Sequence, residues 1–404
     1  MVERFLSGMI RSYYKSVTVD SIPEIASREF GVGEFGKKIS SRHLEFKTNS
    51  ALNQYLRTNA PFYISYSNAR YKFPSARPME KKDLFGADLI YEFDADDIKT
   101  DCKETHDSWK CSDCGKQGKG SPDACDSCGS QRLSVEEWVC PECLGETKKQ
   151  SLELIKIIEN DLGFTEGISV NFSGSKGYHI HVRSSAVQSL SKSARLEILD
   201  YITGTNLDLE SLGFYADKKG FFCPKISSSK GWSKKIFLEI ERIFNANDPV
   251  LVASMGSTTV SNAKKLLKEK HNIITNAERG FLLSNGVNAD KFWNSFLSFI
   301  VESMKLDVDR QTSVDINKII RVPNTIHGST GLLAKSFALD NLNDFNPLKE
   351  TVVLGDDEIK IANARAPKFY LNGEWFGPFE NESVSLPAYA AFYLLARKNA
   401  EVSN

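Results

Sequence analysis

The sequence lacks any uninterrupted apolar run approaching the roughly 18 residues of a membrane-spanning helix. Its opening, MVERFLSGMIRSYYKSV, is too polar and too soon charged for a secretory signal. The expectation is a cytoplasmic protein with no membrane partner. A charge imbalance is missing as well: 51 basic and 52 acidic residues leave a formal net charge of −1. No global field draws the chain to nucleic acid, so any such binding has to come from local basic patches. Internal repeats, low-complexity linkers and the GxxxxGK[ST] spacing of a phosphate-cradling loop are absent too. With 41% hydrophobic and 25% charged residues over 404 positions, neither disorder nor a fibrous fold is indicated. The length suffices for about two to three domains with a sizeable core.

Cysteine is scarce outside one segment. Of eight, seven fall between 102 and 143, and Cys223 stands alone as an ordinary core or surface cysteine. Three CxxC pairs occur: CSDC at 111–114, CDSC at 125–128 and CPEC at 140–143. In an intracellular chain this spacing reads as zinc rather than disulfide. Each CxxC offers two thiolates from one tight turn, and the glycine after Cys114 and Cys128 relieves strain at the knuckle. Cys111, Cys114, Cys125 and Cys128 form CxxC-x10-CxxC in a Gly-, Ser-, Asp- and Lys-rich loop that has almost no core without metal. The remaining Cys102, His106, Cys140 and Cys143 make a Cys3His set, with Trp109 and Trp138 flanking the insert. Two zinc ions are expected. Structural zinc keeps no open coordination position, so the module shapes or binds rather than catalyses.

The stretch YEFDADD at 91–97 ends a strand-like ADLIYEF with three acids. Strand alternation puts Asp94 and Asp96 on one face, and their repulsion must be offset by open water at a strand end or by divalent cations. Further on, KKQSLELIKIIENDLGF reads as an amphipathic helix from 148 ended by Gly163, with Leu152, Ile155, Ile158 and Leu162 as its apolar stripe. GISVNF and YHIHV read as strands around the turn SGSKG, with His179 and His181 on one face. Residues 186–300 show helical spacing and no catalytic cluster, which suggests a helical insertion with a packing role. Beyond 300 a strand pattern returns through MKLDVDRQTSVDINKIIRVPNTIHGSTG, and SLPAYAAFYLLARKNAE reads as a closing helix.

Three separated elements could converge: Asp94 with Asp96; SGSKGYHIH at 173–181; and DVDRQT with IIRVPNTIHG at 307–328. Carboxylates suit hard cations, while a Gly-rich turn with Ser and Lys, an Arg and two His suit triphosphate oxygens. Taken in order, with REF at 28–30 and the Cys/His insertion, the assembly resembles the small catalytic subunit of archaeal and eukaryotic DNA primases. The additional CxxC-x10-CxxC ribbon points to an archaeal branch.

The resemblance implies an α/β fold: a primase-type catalytic domain with a mixed β-sheet, built from residues 1–97, 148–185 and 301–404. It is interrupted by a zinc-binding insertion at 98–147 and the helical insertion at 186–300. By the same resemblance, Asp94 and Asp96 bind Mg2+ or Mn2+, and Asp309 is the third catalytic aspartate. Ser173, Lys176 and His179 match the triphosphate-binding turn, and Arg321 and His327 match residues contacting the nucleotide. There are departures: Ser175 stands where a basic residue is usual, and Lys176 replaces arginine with a point charge lacking the planar fork. His181 and Asp307 receive no role and are read as structural.

The implied activity is synthesis of short primers from nucleoside triphosphates on a single-stranded DNA template. It proceeds by two-metal nucleotidyl transfer with pyrophosphate release, in a heterodimer with a large primase subunit, within nucleoid-associated replication machinery. In the family that larger subunit carries an iron–sulfur cluster, which needs none of the cysteines here. Two rivals share parts of the pattern: a metal-dependent nuclease or phosphohydrolase, and a non-catalytic nucleic-acid-binding protein relying on its zinc ribbons.

Overall fold

In the computed structural model, which describes residues 1–20, 22–284 and 286–403, strand Leu89–Asp94 forms one edge of a five-stranded sheet. Its neighbours, in order, are Gly177–Val182, Ile168–Phe172, Leu333–Phe337 and Thr325–Ile326. Strand Leu89–Asp94 buries Leu89, Ile90, Tyr91 and Phe93 and leaves only Glu92 and Asp94 partly open. A second sheet runs Ile319–Arg321, Tyr63–Ser67, Phe30–Glu34, Lys37–Leu44. Every strand pairing among the described residues is antiparallel, so neither sheet is mixed as expected. Ile168–Phe172 and Gly177–Val182 are joined by a short turn, and such a connection can only reverse the chain, whereas parallel neighbours need a long crossover.

The chain divides into two compact units, 1–155 with 164–196 and 307–404, and 156–163 with 197–306. The first contains both sheets. Helix Val2–Ser16 packs there through Leu6, Ile10, Tyr13 and Tyr14, one stripe at helical spacing. Helix Ala388–Ala396 is buried on all sides. The closing segment is thus shorter in helix than expected: Ser385–Pro387 belongs to strand Phe379–Pro387, and Glu401–Val402 adds a strand beside Glu358–Ala366.

The helix expected from 148 begins at Pro141 and ends at Asn160, with Gly163 in the left-handed region beyond it (φ 75°). Proline suits a first helical turn because its missing N–H is unpaired there anyway. Its buried aliphatic residues are Leu144, Leu154, Ile155, Ile157 and Ile158, while Leu152 and Leu162 are only half-buried. Since Cys143 lies on this helix, the metal-bearing segment merges into it rather than ending at 147.

The second unit differs from the 186–300 span read from helical spacing. Helices Gly231–Ala246, Pro249–Met255, Val260–Lys268, Lys270–Ala277 and Ala289–Ser303 surround a core of Trp232, Phe237, Phe244, Phe292, Trp293 and Phe296. Cys223 is buried in that same core, as an ordinary core cysteine. The unit also holds a three-stranded sheet, Tyr215–Asp217, Gly220–Phe222 and Phe281–Leu282. Asp217 Oδ1 accepts the Lys219 amide at 2.6 Å and closes the hairpin, a local turn that helical spacing does not reveal. Among the described residues no helix is long and apolar enough to cross a membrane.

Candidate functional site

Register places the acids. In the pairing of Leu89–Asp94 with Gly177–Val182, His179 stands opposite Glu92 and Gly177 opposite Asp94. The strand ends at Asp94, and Asp96 sits in the following turn, where the Asp97 amide donates to the Asp94 carbonyl at 3.1 Å. Strand alternation therefore does not position Asp96 as expected. A β-carbon at Gly177 would overlap the Phe93 carbonyl and the Asp94 side chain, so only glycine admits this close approach. Gly177→Ala should accordingly lower thermal stability by about 1–3 kcal/mol and displace Asp94. Calorimetry checks the first effect and metal titration the second.

Neither open water nor a neighbouring cation satisfies the acids fully. Asp94 Oδ1 and Asp96 Oδ1 are buried with no hydrogen-bond partner. Burial, then the charges of Glu92 and Asp96, push the Asp94 carboxyl up to about 7. Lys176 Nζ pairs with Asp96 Oδ2 and lies 3.3 Å from Glu137 Oε2. Lys103 Nζ donates to the Asp96 carbonyl at 2.8 Å. Asp309 is tied to the same strand, its amide donating to the Glu92 carbonyl at 3.0 Å. Its carboxylate caps helix Arg310–Val314, accepting the Gln311 and Thr312 amides at 2.8 and 3.1 Å and the Thr312 hydroxyl at 2.6 Å.

Glu92 escaped the sequence reading although it belongs to YEFDADD. Its signal was there: two residues before Asp94, it shares that face of the strand. His179 Nε2 lies 3.0 Å from Glu92 Oε1, and Lys318 Nζ 3.5 Å from Glu92 Oε2. Burial opposes ionisation of Glu92, but His179, Lys318 and Thr312 together hold its carboxyl well below the usual range. Lys318 and Glu137 were also missed, because lone charges far away in sequence carry no local pattern.

The SGSKG turn is organised by Ser173. Its Oγ accepts the amides of Ser175, Lys176 and Gly177 at 3.3, 3.3 and 3.1 Å. These donors thus face inward rather than toward a ligand. Gly174, at φ 80°, abuts His327: an added β-carbon would lie 2.9 Å from the His327 β-carbon, and Thr330 Oγ1 donates to the Gly174 carbonyl at 2.5 Å. The turn and the 327–330 loop are therefore in contact, as the sequence grouping required.

His327 Nδ1 lies 3.1 Å from Ser329 Oγ and 3.3 Å from Thr330 Oγ1. Burial, followed by the Arg321 charge, lowers its proton affinity well below the usual value, so the ring is neutral. Arg321 stacks on Tyr63 with its guanidinium carbon 4.8 Å from the ring centroid. Its Nε and Nη1 are buried with no partner, and burial lowers its pKa to about 10. Buried guanidinium donors of this kind can take up an anion. His181 and Asp307 keep structural roles: His181 is buried with Nε2 3.0 Å from Asn171 Nδ2, and Asp307 exchanges two hydrogen bonds with Gln150.

Two groups of Cys/His residues have ligand atoms that all lie within 4.8 Å of one another, and they are the two sets read from spacing. Cys143 Sγ is 3.6 Å from Cys102 Sγ, 3.4 Å from Cys140 Sγ and 3.3 Å from His106 Nε2. Tetrahedral zinc with bonds of about 2.3 Å to sulfur puts ligand atoms roughly 3.8 Å apart, so the donor set fits. His106 Nδ1 meets Asp107 Oδ1 at 2.8 Å, which orients the ring as in zinc sites generally. In the ribbon, Cys111 to Cys128 and Cys114 to Cys125 are each 3.6 Å apart. Its two knuckles match: the amides of Gly115 and Gly129 return to the carbonyls of Cys111 and Cys125, both glycines at positive φ. Among the described residues no comparably tight group includes Asp94, Asp96 and Asp309.

Comparison with known proteins bears on this arrangement. Residues 135–339 match the family model described as DNA primase small subunit. The DNA primase small subunit PriS of Methanothrix thermoacetophila is 31% identical, with 98% of each chain covered. That of Nitrosopumilus maritimus is 29% identical, over 99% of this chain and 98% of its own. Among solved structures, the polymerase domain of Mycobacterium tuberculosis Ligase D in complex with DNA covers 84% of this chain and 83% of its own, at 11% identity and a TM-score of 0.30. A score that low carries no argument. With a family model over half its length and archaeal relatives aligned almost from end to end, the chain belongs to the DNA primase small-subunit family.

Proposed function

We propose that this chain is a primase catalytic subunit, joining nucleoside triphosphates into short primers on single-stranded DNA and releasing pyrophosphate. The observation that carries the reading is the pair of buried, unpartnered carboxylate oxygens on Asp94 and Asp96, beside an Asp94 carboxyl that its neighbours push up to about 7. Such a site is incomplete without positive charge. Asp94, Asp96 and Asp309 would hold Mg2+ or Mn2+, which when bound supply the charge that makes a 3′-hydroxyl nucleophilic and stabilises the leaving pyrophosphate.

The chain's own residues do the rest. Arg321 offers two desolvated donors to the triphosphate. His327 presents Nε2, since Nδ1 faces the two hydroxyls of Ser329 and Thr330. Glu92 fixes the His179 ring through Nε2. Lys176 balances Asp96 and Glu137 in the free protein, and a triphosphate is the competing anion to which its ammonium turns. Ser173 shapes the turn that carries Lys176 rather than touching phosphate through its amides. The two Cys/His sets would each hold a zinc ion, and a larger subunit would complete a heterodimer.

The direct test is purified protein with a single-stranded template, labelled nucleotides and Mg2+ or Mn2+. Primers made without a starting oligonucleotide are expected. Template degradation would replace the reading with a nuclease, and binding without chemistry would reduce the protein to a nucleic-acid-binding module. Within the reading, Arg321→Ala should raise the nucleotide KM by roughly 10- to 100-fold, the equivalent of about 1.5–3 kcal/mol for a charged hydrogen bond. An unchanged KM would remove Arg321 from the nucleotide site.

A further inference from the structure

In the second unit, the three-stranded sheet of Tyr215–Asp217, Gly220–Phe222 and Phe281–Leu282 presents two unlike faces. Strand alternation sends Phe221 and Leu282 into the core, with Ala216 packed against it. The opposite face carries an aromatic row: the register sets Tyr215 against Phe222 and Phe222 against Phe281, one ring from each strand. Tyr215 and Phe222 are stacked, with centroids 5.1 Å apart and planes 6° from parallel, and Phe281 follows at 4.7 Å from Phe222. Cross-strand aromatic pairs stabilise a sheet by themselves, but burial would add to that gain. Here Tyr215 is 41% and Phe281 39% exposed, and the reaction proposed above uses none of these residues.

Charge selects the occupant of this face. Over residues 215–225 and 278–282 the cations are Lys218, Lys219, Lys225 and Arg279, all exposed, and the acids are Asp217 and Glu278. Both acids are engaged by backbone: Asp217 Oδ1 accepts the Lys219 amide at 2.6 Å, and Glu278 Oε2 accepts the Ser227 amide at 3.2 Å. Among the described residues none of the four cations has an ion-pair partner. They bracket the rings. Lys218 and Lys219 form the hairpin turn at one end of the strands, while Lys225 and Arg279 lie just beyond Phe222 and before Phe281 at the other, where the Cys223 amide donates to the Gly280 carbonyl at 3.1 Å. A protein partner disfavours lysine at the core of its interface. Exposed rings flanked by unpaired cations suit a single nucleic-acid strand, whose bases stack on the rings while its phosphates meet the charges.

We propose that this sheet face is a base-stacking platform that holds unpaired template DNA, with Tyr215 and Phe281 taking the bases and Lys218, Lys219, Lys225 and Arg279 the backbone. The choice of strand rests on the reading of the chain as a primer-synthesising enzyme. A growing primer leaves base-paired, so the template is the strand whose bases stay free to stack. Stacking is indifferent to base identity, as copying of arbitrary sequence requires.

The test uses the full chain and a fluorescein-labelled oligodeoxythymidylate, followed by anisotropy across a salt series. Tyr215→Ala/Phe281→Ala should weaken binding about tenfold or more, and the ring-keeping Tyr215→Phe should leave it unchanged. Lys218→Gln/Lys219→Gln, in the exposed turn, should flatten the slope of log affinity against log salt by about 1.4, each single-strand phosphate contact contributing roughly 0.7. In synthesis assays the alanine variant should show a template KM raised by a similar factor, with kcat and the nucleotide KM unchanged. The wild type supplies a readout that no folding defect can mimic: photo-crosslinking to an oligonucleotide carrying 5-iododeoxyuridine should mark peptides holding Tyr215 or Phe281. Crosslinks confined to other peptides, or wild-type affinity in the alanine variant, would overturn the proposal. So would an alanine variant that binds the strand normally but no longer binds a purified large primase subunit, which would make the face a protein interface. Failure of the broader reading looks different, because the wild type would then hold the oligonucleotide through these rings and yet polymerise nothing.

Discussion

Replacing Asp94 and Asp96 together by asparagine should cut primer synthesis by about a thousandfold or more, the scale expected when metal-assisted charge stabilisation worth several kcal/mol is lost. Asparagine keeps the volume and removes the charge, so the strand Leu89–Asp94 and its register with Gly177–Val182 should survive. The sign of the stability change separates this from misfolding. An Asp94 carboxyl pushed up to about 7, against an ordinary 3.8, favours the protonated form in the folded chain. Its stabilising contribution is therefore present below the ordinary value and is lost as pH rises through about 7. At pH 8 without added Mg2+ or Mn2+, the double variant should thus melt no lower than the wild type, and its zinc content should stay at two per chain. Near-normal synthesis would refute the metal role of these acids. A fall in melting temperature would mean that the carboxylates support the fold rather than the chemistry.

How far this could be read from residues alone differs between parts of the molecule. The Cys/His sets were legible because four ligands of one zinc must share a small tetrahedron, and CxxC spacing encodes half of that geometry locally. Strands 168–172 and 177–182 were legible because a Gly-rich turn between two apolar runs permits little else. The antiparallel sheet was not: Leu333–Phe337 pairs with Ile168–Phe172 across more than a hundred and fifty residues, and periodicity contains no record of partners. Asp96 was placed on a strand face because alternation was extended one turn too far. Glu92 was overlooked for the converse reason, although the same alternation marks it. For Ser173 the residue type suggested a phosphate contact, whereas the three amides it collects show a turn-forming role that only backbone direction reveals.

The two Cys/His sets should respond differently to loss of one ligand. Cys143→Ser and Cys111→Ser should each lower zinc content from two to one per chain, measured by elemental analysis. Only the first should abolish most primer synthesis. Cys143 lies in the first turn of helix Pro141–Asn160, and Cys102, Cys140 and Cys143 pack against Ala95, the residue between the two acids. From the same segment Lys103 holds the Asp96 carbonyl, and Glu137 meets Lys176. A structural zinc ion organises chain that has no other core, so its loss loosens each of these contacts at once. The ribbon is more self-contained: Trp109, Cys111 and Cys125 pack with Leu133 and Val135, while Cys114 and Cys128 are exposed. Loss of its ion should disorder the ribbon yet leave Asp94, Asp96 and Lys176 as they are, so synthesis on a short template should stay near the wild-type rate. If the two variants lose activity equally, the ribbon also supports the acids, and the separate roles assigned to the two sets fail.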